Sequence, residues 1–319
     1  MSSTPEVSST REVSSTKVTA RKTSSLNSGY WVFLLPGLVL FLLVIILPFL
    51  VTIGASFTKW NGVTTPKFIG IDNYVNALKD AAFWASFTNN LKLMLAMVVL
   101  PTILGLLLAG LLFSLVAPRF GHRWASFFRA GFYLPQVMPV AIAGIVWGWI
   151  LQPSGALNSL LQVVGLGSIA HDWLGDPATA LLSIMGMMIW FQVGFPLVIF
   201  FTALQRTDPS LAEAASLDGA SPWQSFVHIT IPQIRPEIFV VVLMTTIATL
   251  KVFGQIYVLT RGGPGTETLV PSYYVYQNFF QLAKVGYGSA IATIMAAIII
   301  LLAATFISIQ SRRDLAEDF

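Results

Sequence analysis

Six apolar stretches, each long enough to cross a bilayer, govern what this chain can become. They lie near 31–56, 89–116, 128–151, 179–204, 237–260 and 286–309, and the segments between them are polar and rich in turn residues. A backbone exposed to lipid must satisfy its hydrogen bonds within its own segment, so about 20 consecutive apolar residues read as one spanning α-helix. The expected fold is all-α: an integral membrane protein with six transmembrane helices. Composition agrees, since 55% of the 319 residues are hydrophobic and 10% are charged, against roughly 25% charged in ordinary soluble domains. A soluble globular enzyme is excluded.

Residues 1–29 are rich in Ser and Thr, repeat Glu-Val-Ser-Ser-Thr at 6–10 and 12–16, and carry Arg11, Lys17, Arg21 and Lys22. They read as a disordered tail. The stretch from Trp31 to Phe57 is longer than the apolar core of a signal peptide and follows a long polar lead, so it is expected to remain as the first span. The spans then form one domain over 30–311, with a second short tail at 312–319. Lys and Arg are retained on the cytoplasmic side of short loops. The first tail, the 117–127 connection with Arg119 and Arg123, Arg129, the 205–236 loop with Arg206 and Arg235, and Arg312 and Arg313 all fall on one side. Both termini are therefore expected in the cytoplasm. Pro36, Pro48, Pro101, Pro135, Pro139 and Pro196 within the spans predict kinked helices whose freed carbonyls are covered by neighbours. Gly144 and Gly148 have the spacing that lets two membrane helices approach closely.

Several chemistries are missing. There is no cysteine, hence no disulfide, thiol nucleophile or thiolate metal site. No Gly-rich phosphate-cradling loop ending in Lys-Ser/Thr occurs, and no metalloprotease histidine pattern, so the chain is not expected to be an enzyme or to hold a metal or cofactor. His122, His171 and His228 are far apart and sit outside the spans, where a satisfied surface role fits them. The net charge of +4 comes from basic residues scattered among loops rather than gathered on one face, which argues against nucleic acid and for a lipid bilayer as the partner. The spans are nearly bare of ionisable groups, which argues against a proton-coupled carrier. Lys251, in the outer third of the fifth span, is the exception; it reads as a snorkelling or protein-facing side chain.

The most informative segment is 207–236. Asp208 caps a helix with Pro209 at its first position, Gly219 supplies a residue free to take positive φ where that helix ends, and Ser221 and Pro222 repeat the cap-and-proline signal. A second helix is expected through Trp223, Phe226 and Ile229, ended by Pro232 and Pro236. The result is a helix-turn-helix projection on the cytoplasmic side. Glu213, Ala214, Ala215, Asp218, Gly219, Ala220, Phe226, Ile229, Pro232 and Pro236 are together similar to the signature of the permease subunits of binding-protein-dependent ABC importers. Residues 68–74 with Asp80, Phe83, Trp84 and Asn89, and 257–264 with Thr268 and the 276–286 region, resemble the carbohydrate type, such as the maltose and glycerol 3-phosphate transporter membrane subunits. The resemblance covers most of the chain. The extra amino-terminal spans and the large external insertion of the maltose-transporter subunit are absent.

The resemblance implies a type I importer fold in a bacterial or archaeal plasma membrane. It implies three partners: a second homologous permease subunit, a dimer of ATP-hydrolysing subunits and an extracytoplasmic sugar-binding protein. It makes the 207–236 loop the coupling helix, with Glu213 in polar contact with the ATPase, Ala214, Ala215 and Ala220 packing closely, Gly219 turning the chain, and Asp218 within the motif. A neutral sugar asks for aromatic faces and neutral hydrogen-bonding groups. By the same resemblance the substrate path falls on Trp190, Gln192 and Phe195 of the fourth span and on Thr245, Thr249 and Val252, which recur at helical spacing in the fifth. The expected cargo is a di- or oligosaccharide. A permease for glycerol 3-phosphate or a related charged solute would want a path lined by Arg or Lys. An autonomous ion-coupled carrier would want intramembrane carboxylates.

Overall fold

The computed structural model describes residues 30–317. The expected disordered tail at 1–29 lies outside them. The chain divides after Leu50 into two compact units. In the first, α1 (Tyr30–Phe41) passes through a π turn (Leu42–Ile46) into α2 (Leu47–Ser56), which runs on into the second unit. From Phe33 to Leu50 nearly every side chain is exposed, as suits a helix whose apolar surface meets lipid.

The second unit begins with a two-residue antiparallel hairpin, β1 (Thr58–Lys59) against β2 (Lys67–Phe68), and a short helix α3 (Asp72–Lys79). A long helix follows, α4 (Ala81–Leu111), continued by a π turn (Leu112–Val116) and α5 (Ala117–Phe120). Next come α6 (His122–Val137), α7 (Val140–Leu151) and α8 (Ala156–Val163), then α9 (Ala180–Gln192) and α10 (Gly194–Leu204). The projection holds α11 (Pro209–Leu217), α12 (Pro222–Ser225), a π turn (Phe226–Thr230) and α13 (Ile231–Gln233). The chain closes with α14 (Arg235–Leu250), α15 (Gly254–Leu259), α16 (Pro271–Tyr276), a π turn (Gln277–Gln281) and α17 (Val285–Glu317). Among the described residues, five helices are long and apolar enough to cross a membrane, six if a pair bent by 71° at Ile234 counts as one span.

Three expectations need correction. The stretch 128–151 is not one span, because the helix stops at Met138, which is extended at ψ 141°; the pyrrolidine ring of Pro139 disfavours helical geometry in the residue before it. The stretch 237–260 is likewise broken, α14 ending at Leu250 and α15 starting at Gly254. Side chains add to the local backbone bonds at the break: the Thr249 carbonyl accepts from Asn90 Nδ2 at 3.0 Å as well as from the Val252 N–H at 3.1 Å, and the Ser272 hydroxyl donates to the Val252 carbonyl. A break inside hydrocarbon survives only with such partners. Finally, Pro232 and Pro236 do not end a helix. Pro232 lies within α13 and Pro236 in the first turn of α14, where its missing N–H costs nothing.

The core has two apolar clusters. One joins Phe83, Leu93, Met97, Ile184, Met187, Ile256, Tyr273 and Ile291; the other joins Leu112, Ala125, Phe200, Phe201, Leu204, Ile234 and Val241. Helix α4 runs through both. It meets α10 so closely that a Cβ on Gly105 would stand 2.6 Å from Pro196 Cβ, so backbone packs on backbone there. Gly144 plays the same part between α7 and α15, where an added Cβ would stand 2.9 Å from Val258 Cγ1.

Candidate functional site

At one end of α4, Asn89 Nδ2 donates to the carbonyls of Thr266 and Leu269 at 2.8 and 3.1 Å. At the other, Gly110 lies against the ring of Phe226 in the projection. Twenty-one residues of helix at 1.5 Å each separate these points by about 30 Å, the thickness of a hydrocarbon core. The hairpin belongs to the Asn89 end, because Asp80 at the start of α4 bonds Tyr287 and the neighbouring Gly286 N–H donates to the Trp60 carbonyl at 3.2 Å; the projection and the hairpin therefore mark opposite ends of the bundle.

The projection is held by its caps. Asp208 Oδ1 accepts from the Ser210 N–H at 2.9 Å and the Ser210 hydroxyl at 2.7 Å, and these bonds hold its carboxyl below the usual range. At the far end of α11, Gly219 has φ +85° and the Ala220 N–H reaches back to the Ala215 carbonyl at 3.0 Å, the closure that a left-handed residue permits. Ser221 and Gln224 then form a reciprocal capping box at 3.3 and 2.8 Å. Arg206 and Glu237 pair across the base at 2.7 Å, and Gln233 Oε1 accepts from the Asp208 N–H at 3.1 Å. Glu213, Ala214, Asp218 and Gly219 are exposed, while Ala215 and Ala220 are half-buried. Leu217 is 89% and Trp223 62% exposed, a rigid two-helix knob with apolar side chains offered outward. Its inner side rests on the bundle: a Cβ on Gly110 would come within 3.1 Å of Phe226 Cζ, and Ile234 is buried.

A second site lies where α14 breaks. An open cleft of about 280 Å³ is lined by Met97, Val140, Met188, Phe191, Gln192, Ala248 and Thr249, and by Lys251 through Gln255. Of the expected path residues it gathers Gln192, Thr249 and Val252. The hydroxyl of Thr249 donates to the Thr245 carbonyl at 2.8 Å, so its polar group is already engaged. Thr245 is buried, and its hydroxyl donates to the carbonyls of Val241 and Val242 at 2.7 and 3.1 Å. Trp190 stands outside the cleft, edge-on to Trp147 at 5.6 Å. Phe195 packs on the second apolar cluster, and Phe191 faces the cleft in its place. Gln255 was not expected, though a polar residue within a predicted span was the available signal. Lys251 is exposed and lines the cleft, at the end of α14 rather than inside a span.

At the hairpin end, Asp80 caps α4 through the Ala82 N–H at 2.9 Å and accepts on Oδ2 from the hydroxyls of Tyr274 and, at 2.7 Å, Tyr287. Burial pushes the Asp80 carboxyl up, but the hydrogen bonds from both tyrosines and from backbone N–H groups outweigh it and hold the group below its ordinary value. Burial, with the carboxylate beside it, pushes Tyr274 up to about 12. One carboxylate thus ties the start of α4 to α16 and α17.

The sequence pattern of the binding-protein-dependent transport system inner membrane components matches residues 110–313. The chain belongs to that family, the membrane-embedded permeases of ABC importers. It is 37% identical over 267 residues to the Probable ABC transporter permease protein YurN of Bacillus subtilis (strain 168), covering 83% of this chain and 90% of that one. It is 30% identical to the Probable starch degradation products transport system permease protein AmyD of Thermoanaerobacterium thermosulfurigenes, covering 92% of this chain and 99% of that one. Among solved structures, a chain of a bacterial ABC transporter involved in the import of the acidic polysaccharide alginate superposes with a TM-score of 0.76 at 26% identity, over 88% of this chain and 94% of that one.

Proposed function

We propose that this chain is one of two homologous membrane subunits of an ATP-driven importer for a di- or oligosaccharide, and that ATP is hydrolysed on separate subunits docked at the 207–236 projection. The carrying observation is the knob itself: capped at both helices, exposed at Glu213, Ala214 and Ser216–Gly219, and seated on α4 through Phe226. A body of this kind transmits a push as a unit, so closure of the ATPases moves the end of α4 and the α13–α14 elbow. Glu213 makes the polar contact with the ATPase, Ala214, Ala215 and Ala220 allow close approach, and Asp218 and Gly219 set the turn. With the knob in the cytoplasm, both termini are cytoplasmic and the hairpin end faces outward, in a bacterial or archaeal plasma membrane.

A sugar cargo is supported by the starch-product and alginate systems to which the chain is similar. Gln192 and Gln255 give the cleft neutral hydrogen-bonding groups, and Phe191 and Phe253 give it apolar faces. At about 280 Å³ the cleft falls short of the 300–1,000 Å³ of ordinary ligand sites. It forms one wall of a passage that the second permease completes. Lys251 is a single cation at its margin, and a glycerol 3-phosphate permease would want more.

The test is ATPase activity of the complex purified through this chain. An ATPase is expected to co-purify and to be stimulated by liganded binding protein. Glu213→Ala and Gly219→Pro should each abolish most of the stimulation while the membrane helices stay folded. Absence of any co-purifying ATPase, with uptake driven by an ion gradient alone, would overturn the proposal in favour of an autonomous carrier.

A further inference from the structure

A cavity of about 870 Å³ lies at the hairpin end, between the 58–69 segment, α3 and the 274–287 segment. Several of the polar groups on its floor are committed to structural hydrogen bonds. Asn73 Nδ2 donates to the Ser56 and Thr58 carbonyls at 2.8 and 2.9 Å, Asn278 Nδ2 to that of Tyr274 at 2.9 Å, and Tyr274 and Tyr287 to Asp80. Its rim is the reverse. Lys59, Lys67 and Lys284 line the opening, all three are exposed, and among the described residues none has a carboxylate within ion-pairing distance. Asp72 is the one carboxylate on the lining besides the committed Asp80. A pocket that reads sugar hydroxyls needs free hydrogen-bonding groups on its floor. Here Asn73 Nδ2, Asn278 Nδ2, Tyr274, Tyr287 and Asp80 are already engaged, leaving chiefly Asn76 and Thr65 free among the described residues, while three ammonium groups without an ion-pair partner there stand at the mouth.

We infer that this pocket is a docking socket for an acidic surface segment of the extracytoplasmic binding protein, with Lys59, Lys67 and Lys284 meeting its carboxylates. The inference rests on the importer reading above and adds to it the place and chemistry of that contact. Asp80 is taken up by the two tyrosines, so the three lysines outnumber the one other carboxylate, Asp72; an excess of one charge at an interface raises the association rate and fixes register, and it is weakened by salt. The Asp80–Tyr274–Tyr287 clamp joins the start of α4 to α16 and α17, and Asn73 Nδ2 ties α3 to the Thr58 carbonyl, so the walls are linked to one another.

The experiment is titration of the complex, reconstituted in lipid nanodiscs with its ATPase, with liganded binding protein. ATPase rate is read against binding-protein concentration at low and high salt. Reversing all three charges (K59E, K67E and K284E together) is expected to raise the half-saturating concentration roughly tenfold or more, with the maximal rate kept. Half-saturation of the native complex should rise with salt, and that of the variant should not. A K59Q, K67Q and K284Q form, with an intermediate shift and unchanged basal ATPase, controls for folding. Unchanged half-saturation in the reversed variant would overturn the inference. So would a shift in sugar dependence at saturating binding protein, which would make the pocket a sugar site. If the native complex responds to no binding protein at all, the importer reading itself fails.

Discussion

Gln192 and Thr245 were both expected on the path, and their surroundings separate them. The Gln192 amide lines the cleft with no hydrogen bond to another described residue, whereas the Thr245 hydroxyl is buried and bonded to its own helix. Threonine commonly spends its hydroxyl this way in a membrane helix. Gln192→Ala is therefore expected to weaken sugar-dependent transport several-fold, and Thr245→Val to leave it nearly unchanged; uptake of labelled sugar at several concentrations checks both. Asp208, Gly219 and Ser221 were legible in sequence because a cap is a local event. The orientation of Trp190 and Phe195 was not, since which face of a helix meets a cleft depends on what packs against the others.

The elements show why the breaks matter. Helix α4 links the hairpin end to the projection, and its contact with Phe226 exists because residue 110 has no side chain. Gly110→Leu should push Phe226 out of its seat, lowering the coupling of ATP hydrolysis to transport while basal hydrolysis persists; the ratio of sugar imported to ATP consumed is the measurement. The Asp80 clamp acts at the same scale. Its carboxyl sits below its unfolded value of about 3.9, so its stabilisation is fully present above that pH and is lost as pH falls through the lowered folded-state value. Asp80→Asn should lower the thermal midpoint by several degrees at pH 7, and the difference from native protein should narrow under strong acid. Thermal unfolding in detergent across pH checks this. In sequence, Pro139 predicts a kink rather than a break, and at 251–253 Lys251 reads as a snorkelling or protein-facing side chain on a continuous span, because neither hydropathy nor one polar residue shows where a helix stops. Asn90 and Ser272, distant in the chain, add partners that help make the second break tolerable.

For the whole molecule, the absence of cysteine makes orientation directly measurable. A single cysteine at Leu217, 89% exposed on the knob, should react with an impermeant maleimide only from the cytoplasmic side. One at Val63, 91% exposed in the hairpin loop, should react only from outside; labelling of intact cells against inverted vesicles decides it. By itself the sequence determined the six apolar segments, the fold class and the importer family, together with the capped shape of the projection. Hydropathy and capping act over one span or one turn and are written in neighbouring residues. The tertiary structure alone decided where spans break, which path residues share a cleft, that Phe226 sits on Gly110, and that three lysines from two distant segments rim one pocket. Those depend on which surfaces meet once the chain is packed, between residues up to 225 positions apart.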